Sequence, residues 1–288
     1  MRKTERWASA IPRWRPCAAG CGVAVVLAAL LCRAVAAGAA GPAGKPVADP
    51  ANALWTFEIS GVAFGNSMQL HMATVDGKVV RAFGLGSGRG VHTVDASGLT
   101  VSPTSLKGRL SVTANPDQWF PKDGQPVESR IELDALIRDG RLGGTYKGKR
   151  GGEDASGMIV GTLRPTTNSP PQGTLRLELE RAVEGPVVEQ RACLIIVMRE
   201  GKVSQVTAAP RDPRQWKGVV TAHTLSVSAE AISGQVTVQV NEPLDVKGGA
   251  YTFTLDGKVV GSVVAGTFRS TLGDREVSAA AMFSGKPQ

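Results

Sequence analysis

The stretch GLTVSPTSLKGRLSVT, Gly98 to Thr113, nearly returns as TLSVSAEAISGQVTVQV, Thr224 to Val240. Apolar residues and one glycine recur at matched positions, while the residues between them differ. The matched positions are Leu99, Val101, Leu106, Gly108, Leu110 and Val112 in the first stretch and Leu225, Val227, Ile232, Gly234, Val236 and Val238 in the second. A one-residue slip would turn the core face of a strand to water, so persistence of the inward set is typical of a duplicated fold unit. We therefore predict that the chain contains one β module twice.

Two further pairs of stretches extend this match. DGKV, Asp76 to Val79, is repeated as EGKV, Glu200 to Val203, and RDGRLGG, Arg138 to Gly144, as LDGKVVG, Leu255 to Gly261. Asp-Gly is a residue pair that two-residue hairpin turns favour. The repeat therefore predicts equivalent hairpins in the two modules.

Alternation of apolar and polar residues predicts strands with one wet face. In WTFEIS, Trp55, Phe57 and Ile59 share one face, and TLRLELE shows the same alternation. The first module reads as strands near residues 54–61, 67–75, 78–83, 92–101, 105–113, 128–138, 141–148 and 155–163. Short connections favour an antiparallel meander, which closes into a barrel or folds over as a sandwich. The predicted fold class is all-β, with two tandem antiparallel meander modules of eight strands each.

The stretches DGRLGGTYKG, Asp139 to Gly148, and ASGMIVGTL, Ala155 to Leu163, have a hairpin cadence similar to that of avidin-like and lipocalin-like barrels. The resemblance covers two strands and reflects hairpin physics common to many meanders. It carries none of those families' ligand residues and assigns no family.

The N-terminus has the three parts of a secretory signal. A basic stretch precedes an apolar run, Cys17 to Cys32, and a small-residue region with a cleavage site near Ala36 to Ala39. The apolar run is shorter than the roughly 20 residues that a membrane-spanning helix needs, and an uncleaved anchor is the alternative. We predict a signal peptide at 1–39, a linker at 40–53, module 1 at 54–166, module 2 at 173–286, and a secreted or periplasmic protein with no transmembrane segment after cleavage.

Signal removal changes the charge and the cysteine count. The signal carries six Lys and Arg residues and one Glu, so the net charge falls from +8 to about +3 and nucleic-acid binding loses its main support. Of the four cysteines only Cys193 remains, which excludes an intramolecular disulfide. Cys193 lies in ACLIIVM, which is apolar on both faces. A strand covered on both faces belongs inside a sandwich or at the contact between the modules. We expect the contact between the modules, with a buried and unreactive thiol.

The connections of a meander alternate between the two ends of a module, and the long connections are predicted to collect at one end. Asp76-Gly77, Pro103-Thr104 and Asp139-Gly140 are tight turns at one end. The other end carries GLGSGRGVH, ANPDQWFPKDGQP and GKRGGED, and in module 2 AAPRDPRQWKG and NEPLDVKGG. Because binding residues favour loops on a rigid scaffold, we predict a ligand surface at this end of module 1.

The candidate ligand-binding residues lie in these long connections. They are Trp119, Phe120, Asp117, Lys122, Asp123, His92, Arg89 and Trp216. An exposed indole flanked by acids and bases suits a sugar ring or the apolar patch of a partner protein. The alternative for Trp119 is that it plugs the mouth of its own barrel. Because Trp119 and Trp216 fall in different loops of the copies, we expect the copies to carry different sites.

The three histidines do not form a metal site in the sequence. By strand parity His71 points outward, His92 lies in a loop, and His223 points inward as a satisfied core histidine. No pair has metal-ligand spacing and no cysteine joins them, so we expect neither metal nor cofactor. His92 with Asp95 is the one local acid–imidazole pair near the long loops, and nothing identifies a nucleophile for it.

The remaining polar motifs are weak. Asp117, Asp123 and Glu128 lack the residue order of a calcium loop. Glu132 and Asp134 alternate with apolar residues, which predicts an ordinary wet strand face. GLGSGRG has neither dinucleotide nor P-loop spacing. We assign no catalytic residue.

The predicted function is that of an exported binding or interaction protein without catalysis, whose partner is a carbohydrate or a cell-envelope protein. One alternative is a secreted hydrolase acting on polysaccharide, with His92, Asp95, Asp117 or Asp123 as acid–base groups. Another is a structural component of an extracellular matrix or surface layer. The ligand and the oligomeric state are left open by the sequence.

Overall fold

The structure is a computed structural model that describes residues 48–61, 66–86, 91–114, 127–166, 169–180, 192–210, 216–241 and 248–288. All of them belong to one compact unit, Val47–Gln288. The predicted signal peptide and residues 40–47 of the predicted linker lie outside the described residues. Within the described part of the chain, no helix has the length and apolarity that a membrane crossing requires.

A short 3-10 helix, Pro50–Asn52, precedes the nine strands of module 1. The strands are β1 (Ala53–Gly61), β2 (Asn66–Val75), β3 (Lys78–Gly86), β4 (Val91–Asp95), β5 (Leu99–Val101), β6 (Ser105–Ala114), β7 (Val127–Arg138), β8 (Arg141–Arg150) and β9 (Glu153–Pro165). These bounds follow the eight predicted strands closely, except that the strand predicted at 92–101 is interrupted and forms β4 and β5.

Module 1 is a single antiparallel sheet closed on itself. β4 and β5 both pair with β6, so they act as two halves of one strand. β1 pairs with β9, and β3 pairs with β4 through Gly84 opposite His92 and Leu85 opposite Val91. These pairings close the ring, so the module is an eight-stranded barrel rather than a sandwich of two sheets.

Nine further strands repeat this plan in module 2. They are β10 (Gly173–Glu180), β11 (Ala192–Arg199), β12 (Lys202–Pro210), β13 (Lys217–His223), β14 (Ser226–Val227), β15 (Ala231–Asn241), β16 (Gly249–Val260), β17 (Val263–Leu272) and β18 (Arg275–Pro287). β10 pairs with β18, and β13 and β14 both pair with β15. β12 and β13 lie side by side, although their described residues form no hydrogen-bonded ladder. The predicted pair of all-β modules is confirmed.

The modules also match in register. Gly108 and Gly234 have φ of 119° and 126°, a region that L side chains rarely adopt. An added Cβ would collide with the backbone oxygen of Gly98 in one module and of Thr224 in the other. A β-bulge interrupts the β2–β3 and β11–β12 ladders at the same place. Residues of the two modules can therefore be equated one by one.

One predicted match is wrong. The registers of β6–β7 and β15–β16 align the turn at Asp139-Gly140 with the turn at Gly261-Ser262. Asp256-Gly257, which the sequence match pairs with Asp139-Gly140, lies inside β16. Gly257 serves packing there, because an added Cβ would lie 2.7 Å from Cζ of Phe283.

Each module has two ends, which we call the turn end and the loop end. The turn end of module 1 carries tight turns such as Asp76-Gly77 and Asp139-Gly140, whose four residues all have positive φ. At the loop end the strands leave for residues 62–65, 87–90 and 115–126. The stretch GKRGGED, predicted to be a long loop, is a two-residue turn at Gly151-Gly152 at the loop end. That part of the prediction is wrong because β8 and β9 extend further than expected.

Residues 48–52 pack over the turn end of module 1. Ala48 is buried in the barrel core, and the Thr74 hydroxyl donates to the Pro50 carbonyl at 2.8 Å. The Trp55 indole N–H donates to the same hydroxyl at 3.0 Å, which satisfies a buried donor. Residues 48–52 therefore cover the turn end of the module 1 barrel.

The modules touch through the outer faces of β2–β4 and β16–β18. The buried apolar residues of this contact are Ala73, Phe83 and Val91 of module 1 and Val260 and Ala265 of module 2. An ion pair of 2.8 Å joins Arg81 Nη1 and Glu230 Oε1. Apolar burial of this kind holds the two barrels together.

Cys193 is buried, as predicted, but outside this contact. It lies on the outer face of β11, where its thiol donates to the Ala209 carbonyl at 3.4 Å. Burial raises the pKa of the thiol, which keeps it in the unreactive protonated form. The predicted position at the contact between the modules is wrong, because the described contact cluster does not include Cys193.

Candidate functional site

Three polar side chains point into the barrel at the loop end of module 1. They are His92 of β4, Ser129 of β7 and Arg150 of β8, and we call them the polar mouth. The interior of a small barrel is ordinarily filled by apolar side chains, as it is further down this barrel. Polar groups at inward positions are therefore a sign of a specialised end.

The positions of Ser129 and Arg150 follow from strand parity. Ser129 shares the inward face of β7 with Ile131 and Leu133 and is 1% exposed. Arg150 shares the inward face of β8 with Tyr146 and is half-buried. The two residues are register partners across β7 and β8. A hydroxyl and a guanidinium thus stand side by side at the mouth.

His92 points into the same mouth from strand β4. It shares the inward face of β4 with Val94, and its Cβ would lie 3.2 Å from a Cβ added to Gly84. The same added atom would lie 2.6 Å from Met68 Sδ, a core atom. Gly84 therefore has no side chain because His92 and Met68 take the space.

The His92 imidazole is held neutral. Burial lowers its pKa below the ordinary value, and the positive charge of Arg150 lowers it further. Its Nδ1 atom is buried without a hydrogen-bond partner among the described residues. An unsatisfied buried polar atom costs about 1–3 kcal/mol, a cost that a ligand atom placed there would remove.

Tyr146 forms the floor beneath the polar mouth. Its hydroxyl would lie 2.5 Å from a Cβ added to Gly61, and its Cε1 atom 2.7 Å from one added to Gly157. Burial raises the pKa of the phenol, so it stays protonated at neutral pH. At the rim, Glu153 stands opposite Arg150 in the β8–β9 register and is exposed.

Module 2 has apolar or aromatic residues where module 1 has the polar mouth. The registers equate His92 with Gly218, Ser129 with Tyr251, and Arg150 with Leu272. Tyr251 is fully buried and Trp216 is 1% exposed. Trp216 packs over Gly218, where an added Cβ would lie 2.7 Å from its Cζ3 atom. An aromatic plug therefore fills the loop end of module 2.

Most of the predicted ligand residues lie outside the described residues. They are Trp119, Phe120, Asp117, Lys122, Asp123 and Arg89. The strand ends that bound their connections are described, and Ala114 is the register partner of both His92 and Val127. Of the predicted set the structure thus places His92 at the loop end of module 1, on strand β4 and not in a loop as predicted, and Ser129 and Arg150 lie at the same end.

The prediction that Trp216 is an exposed indole is wrong. It lies in the core of module 2 with Val238 and Val240. Trp216 thus plugs the mouth of the module 2 barrel, which is the role that the sequence suggested as the alternative for Trp119. Its indole N–H is buried without a partner among the described residues.

The His92–Asp95 pair does not form. His92 points into the barrel, whereas Asp95 is exposed on the outer face of β4. Its carboxylate accepts from the Ser97 hydroxyl at 2.7 Å and the Ser97 amide at 3.0 Å, and these hydrogen bonds lower its pKa. The sequence pair that supported acid–base catalysis is therefore separated by strand parity.

The two other histidines differ in environment from the predictions. His223 is exposed, so the predicted core position is wrong. β13 ends at His223, and the inward alternation of Leu225 and Val227 does not extend back across the break between β13 and β14. His71 does point away from the barrel interior, as predicted, but it is 3% exposed. Its ring lies 5.3 Å from that of Phe83 beside the module contact.

The remaining acidic residues behave as surface groups. Glu132 and Asp134 are exposed, as predicted, and Asp134 forms a 2.9 Å ion pair with Lys107. The described residues contain no group of three or more His, Cys, Asp or Glu side chains arranged to hold a metal ion.

Ser129 and Arg150 were not among the predicted residues, although the sequence carries a signal for both. Ser129 has the inward parity of Ile131 and Leu133, and Arg150 that of Leu142 and Tyr146. A polar residue that falls on the inward parity at a strand end is the pattern that would have found them.

Comparisons with known proteins do not extend what the geometry of the site shows. The chain matches no protein-family model and no curated protein. Among solved structures it is similar to a protein of Bacteroides fragilis that is provisionally described as an outer membrane protein. The two are 12% identical, the similarity covers 82% of this chain and 97% of the other, and the TM-score is 0.25. A similarity at this level carries no argument about fold or function.

Proposed function

We propose that the protein is an exported, non-catalytic binding protein whose ligand enters the loop end of module 1. The observation that carries the proposal is the contrast between equivalent positions: His92, Ser129 and Arg150 in module 1, an aromatic plug in module 2. Selection for stability alone would favour an apolar filling at both mouths, because burying polar groups costs free energy unless they are satisfied. Module 2 then serves as a rigid support.

We propose a carbohydrate as the ligand, with a cell-envelope protein as the second candidate. A hydroxyl, an imidazole and a guanidinium offer both donors and acceptors to the hydroxyl groups of a sugar. Trp119 and Phe120 belong to the connection that leaves from the same end, and aromatic side chains suit the apolar face of a sugar ring. Export rests on the predicted signal peptide, and the mass of the secreted protein should place its N-terminus near residues 36–40.

A glycan-array screen of the mature chain tests the proposal. Wild type and Asp139→Asn, a turn-end variant that keeps a residue tolerant of positive φ, should retain the same glycans. Trp119→Ala should lose them. If Trp119→Ala retains the glycans and Asp139→Asn loses them, the site lies at the turn end and not at the loop end. Absence of any glycan or envelope-protein binding would refute the binding function.

The rival hydrolase is tested on the same glycans. Product release should stay at background for wild type and for His92→Ala, because His92 faces Arg150 instead of a carboxylate. Hydrolysis by wild type that His92→Ala abolishes would replace the binding proposal with catalysis.

A further inference from the structure

His71 is a buried histidine beside the contact between the modules. It lies on the outer face of β2, two residues before Ala73, and is 3% exposed. Its ring lies 5.3 Å from that of Phe83, its register partner on β3. Ala73 and Phe83 both belong to the apolar cluster that joins the two modules. Because the outer face of a barrel is otherwise open to solvent, the docking of module 2 accounts for the burial of this histidine.

The hydrogen bonds of His71 fit the neutral form of its ring. Nε2 lies 3.2 Å from Oε1 of Gln69, an oxygen that only accepts, and Nδ1 lies 3.4 Å from the Thr56 hydroxyl. With one proton, on Nε2, the ring donates to Gln69 and accepts from Thr56. Burial lowers the pKa of His71 to about 4. The docked contact therefore holds an imidazole and disfavours an imidazolium.

The charged groups around His71 belong to both modules. Arg81 on β3 and Glu230 before β15 form the 2.8 Å ion pair that crosses the contact. Lys258 on β16 is the register partner of the contact residue Ala265. Three further carboxylates on the surrounding strands are exposed, namely Glu58 on β1, Asp95 on β4 and Asp256 on β16.

We propose that the module contact is an acid-sensitive switch, in which protonation of His71 separates the two barrels while each of them stays folded. Each barrel has its own apolar core, distinct from the small cluster at the contact. Loss of the contact therefore leaves both cores intact. The separated form exposes the His71 ring, which then takes up a proton as a solvated histidine does.

The direction of the switch follows from proton linkage. A solvated histidine titrates near 6.5, so between this value and about 4 the separated form binds more protons than the docked form. Docking should therefore weaken by about tenfold for each pH unit in this interval, and by about 100-fold between pH 7 and pH 4. Docking is strongest at neutral pH and is lost on acidification.

The test is small-angle X-ray scattering of the mature chain between about pH 7.5 and about pH 4.5, with far-UV circular dichroism of the same samples. The maximum dimension of wild type should increase on acidification while the circular dichroism stays unchanged. His71→Ile introduces the residue that module 2 has at the equivalent position, Ile195, and should stay docked throughout. His71→Gln, also neutral, should behave likewise, and His223→Asn, which removes an exposed histidine, should separate as wild type does.

Glu230→Gln separates the role of His71 from that of the ion pair. This variant removes the carboxylate at the contact and should still expand on acidification, because His71 is intact. Loss of the pH response in Glu230→Gln would assign the switch to the ion pair and overturn the proposal. So would wild-type scattering that does not change with pH, expansion of the two His71 variants at the same pH as wild type, or expansion that coincides with loss of the circular dichroism.

Discussion

The two barrels have the same strand order and the same register, yet different kinds of side chain lie at their loop ends. Module 2 fills its mouth with Trp216 and Tyr251, whereas module 1 leaves His92, Ser129 and Arg150 at the corresponding level. The difference teaches that the shared scaffold tolerates either filling. A duplicated barrel can therefore keep one copy for stability and change the mouth of the other for binding.

The largest expected effect is at the plug. Trp216→Ala should lower the free energy of unfolding by about 3–5 kcal/mol, because it empties a large, fully buried site. His92→Ala at the mouth of module 1 should cost about 1 kcal/mol or less, since it also removes an unsatisfied buried nitrogen. Denaturant unfolding of both variants measures the comparison. Equal losses would show that both mouths serve stability.

The second effect compares His71 with its module 2 equivalent, Ile195. Burial lowers the pKa of His71 to about 4, whereas an unfolded histidine titrates near 6.5. Between these values the unfolded state binds more protons, so stability should fall as the pH drops from about 7 to about 4, by about 3 kcal/mol.

His71→Ile is the matched variant for that prediction. It should remove the contribution of His71 to the pH dependence and leave that of His92, whose pKa is also lowered. Denaturant unfolding at several pH values measures both proteins. A wild type that gains stability on acidification would contradict the assignment.

The third effect concerns the module contact. Phe83→Ala should cost about 2 kcal/mol, because the ring is buried against module 2. Thr207, the equivalent residue of module 2, is exposed, and Thr207→Ala should change stability by less than about 0.5 kcal/mol. Thermal unfolding of the two variants checks the difference, and similar losses would argue against an energetically significant contact.

The smallest effect is at the equivalent hairpin turns. Asp76 and Glu200 have φ of 49° and 51°, a conformation that Asn and Asp tolerate better than Glu. Glu200→Asn should therefore stabilise the protein by about 0.5 kcal/mol and Asp76→Glu should destabilise it by about as much. Melting temperatures that move the other way would place these turns under a different constraint.

Strand positions could be predicted from the sequence because period-two alternation is strong in both modules. The Gly108 and Gly234 match held for a physical reason, since both residues have positive φ and a Cβ at either position would collide with a backbone oxygen. The prediction of a turn at Asp256-Gly257 was wrong because an Asp-Gly pair also occurs inside a strand, where packing requires a residue without a side chain. His223 was misplaced because it was assigned the parity of Leu225 and Val227, although the strand is broken between β13 and β14.

The candidate site was only partly predictable. The choice of end followed from the position of the long connections, and His92 lies there as one of the chosen residues. Ser129 and Arg150 were not predicted because the candidate residues were chosen from the long connections, whereas these two occupy inward-facing strand positions. Trp216 packs over Gly218, two residues later in the sequence. This contact cannot be inferred from the spacing of residues in the sequence.

The most direct test of the account is calorimetric titration with the best glycan from the array, using two arginine variants of the same strand. Arg150 lies at the loop end of β8 and Arg141 at its turn end. Arg150→Leu, which introduces the residue that module 2 has there, should weaken binding by about tenfold or more, since it removes charged hydrogen-bond donors from the mouth. Arg141→Leu should bind as wild type does. Undiminished binding by folded Arg150→Leu would contradict the claim that the polar mouth of module 1 is the ligand site.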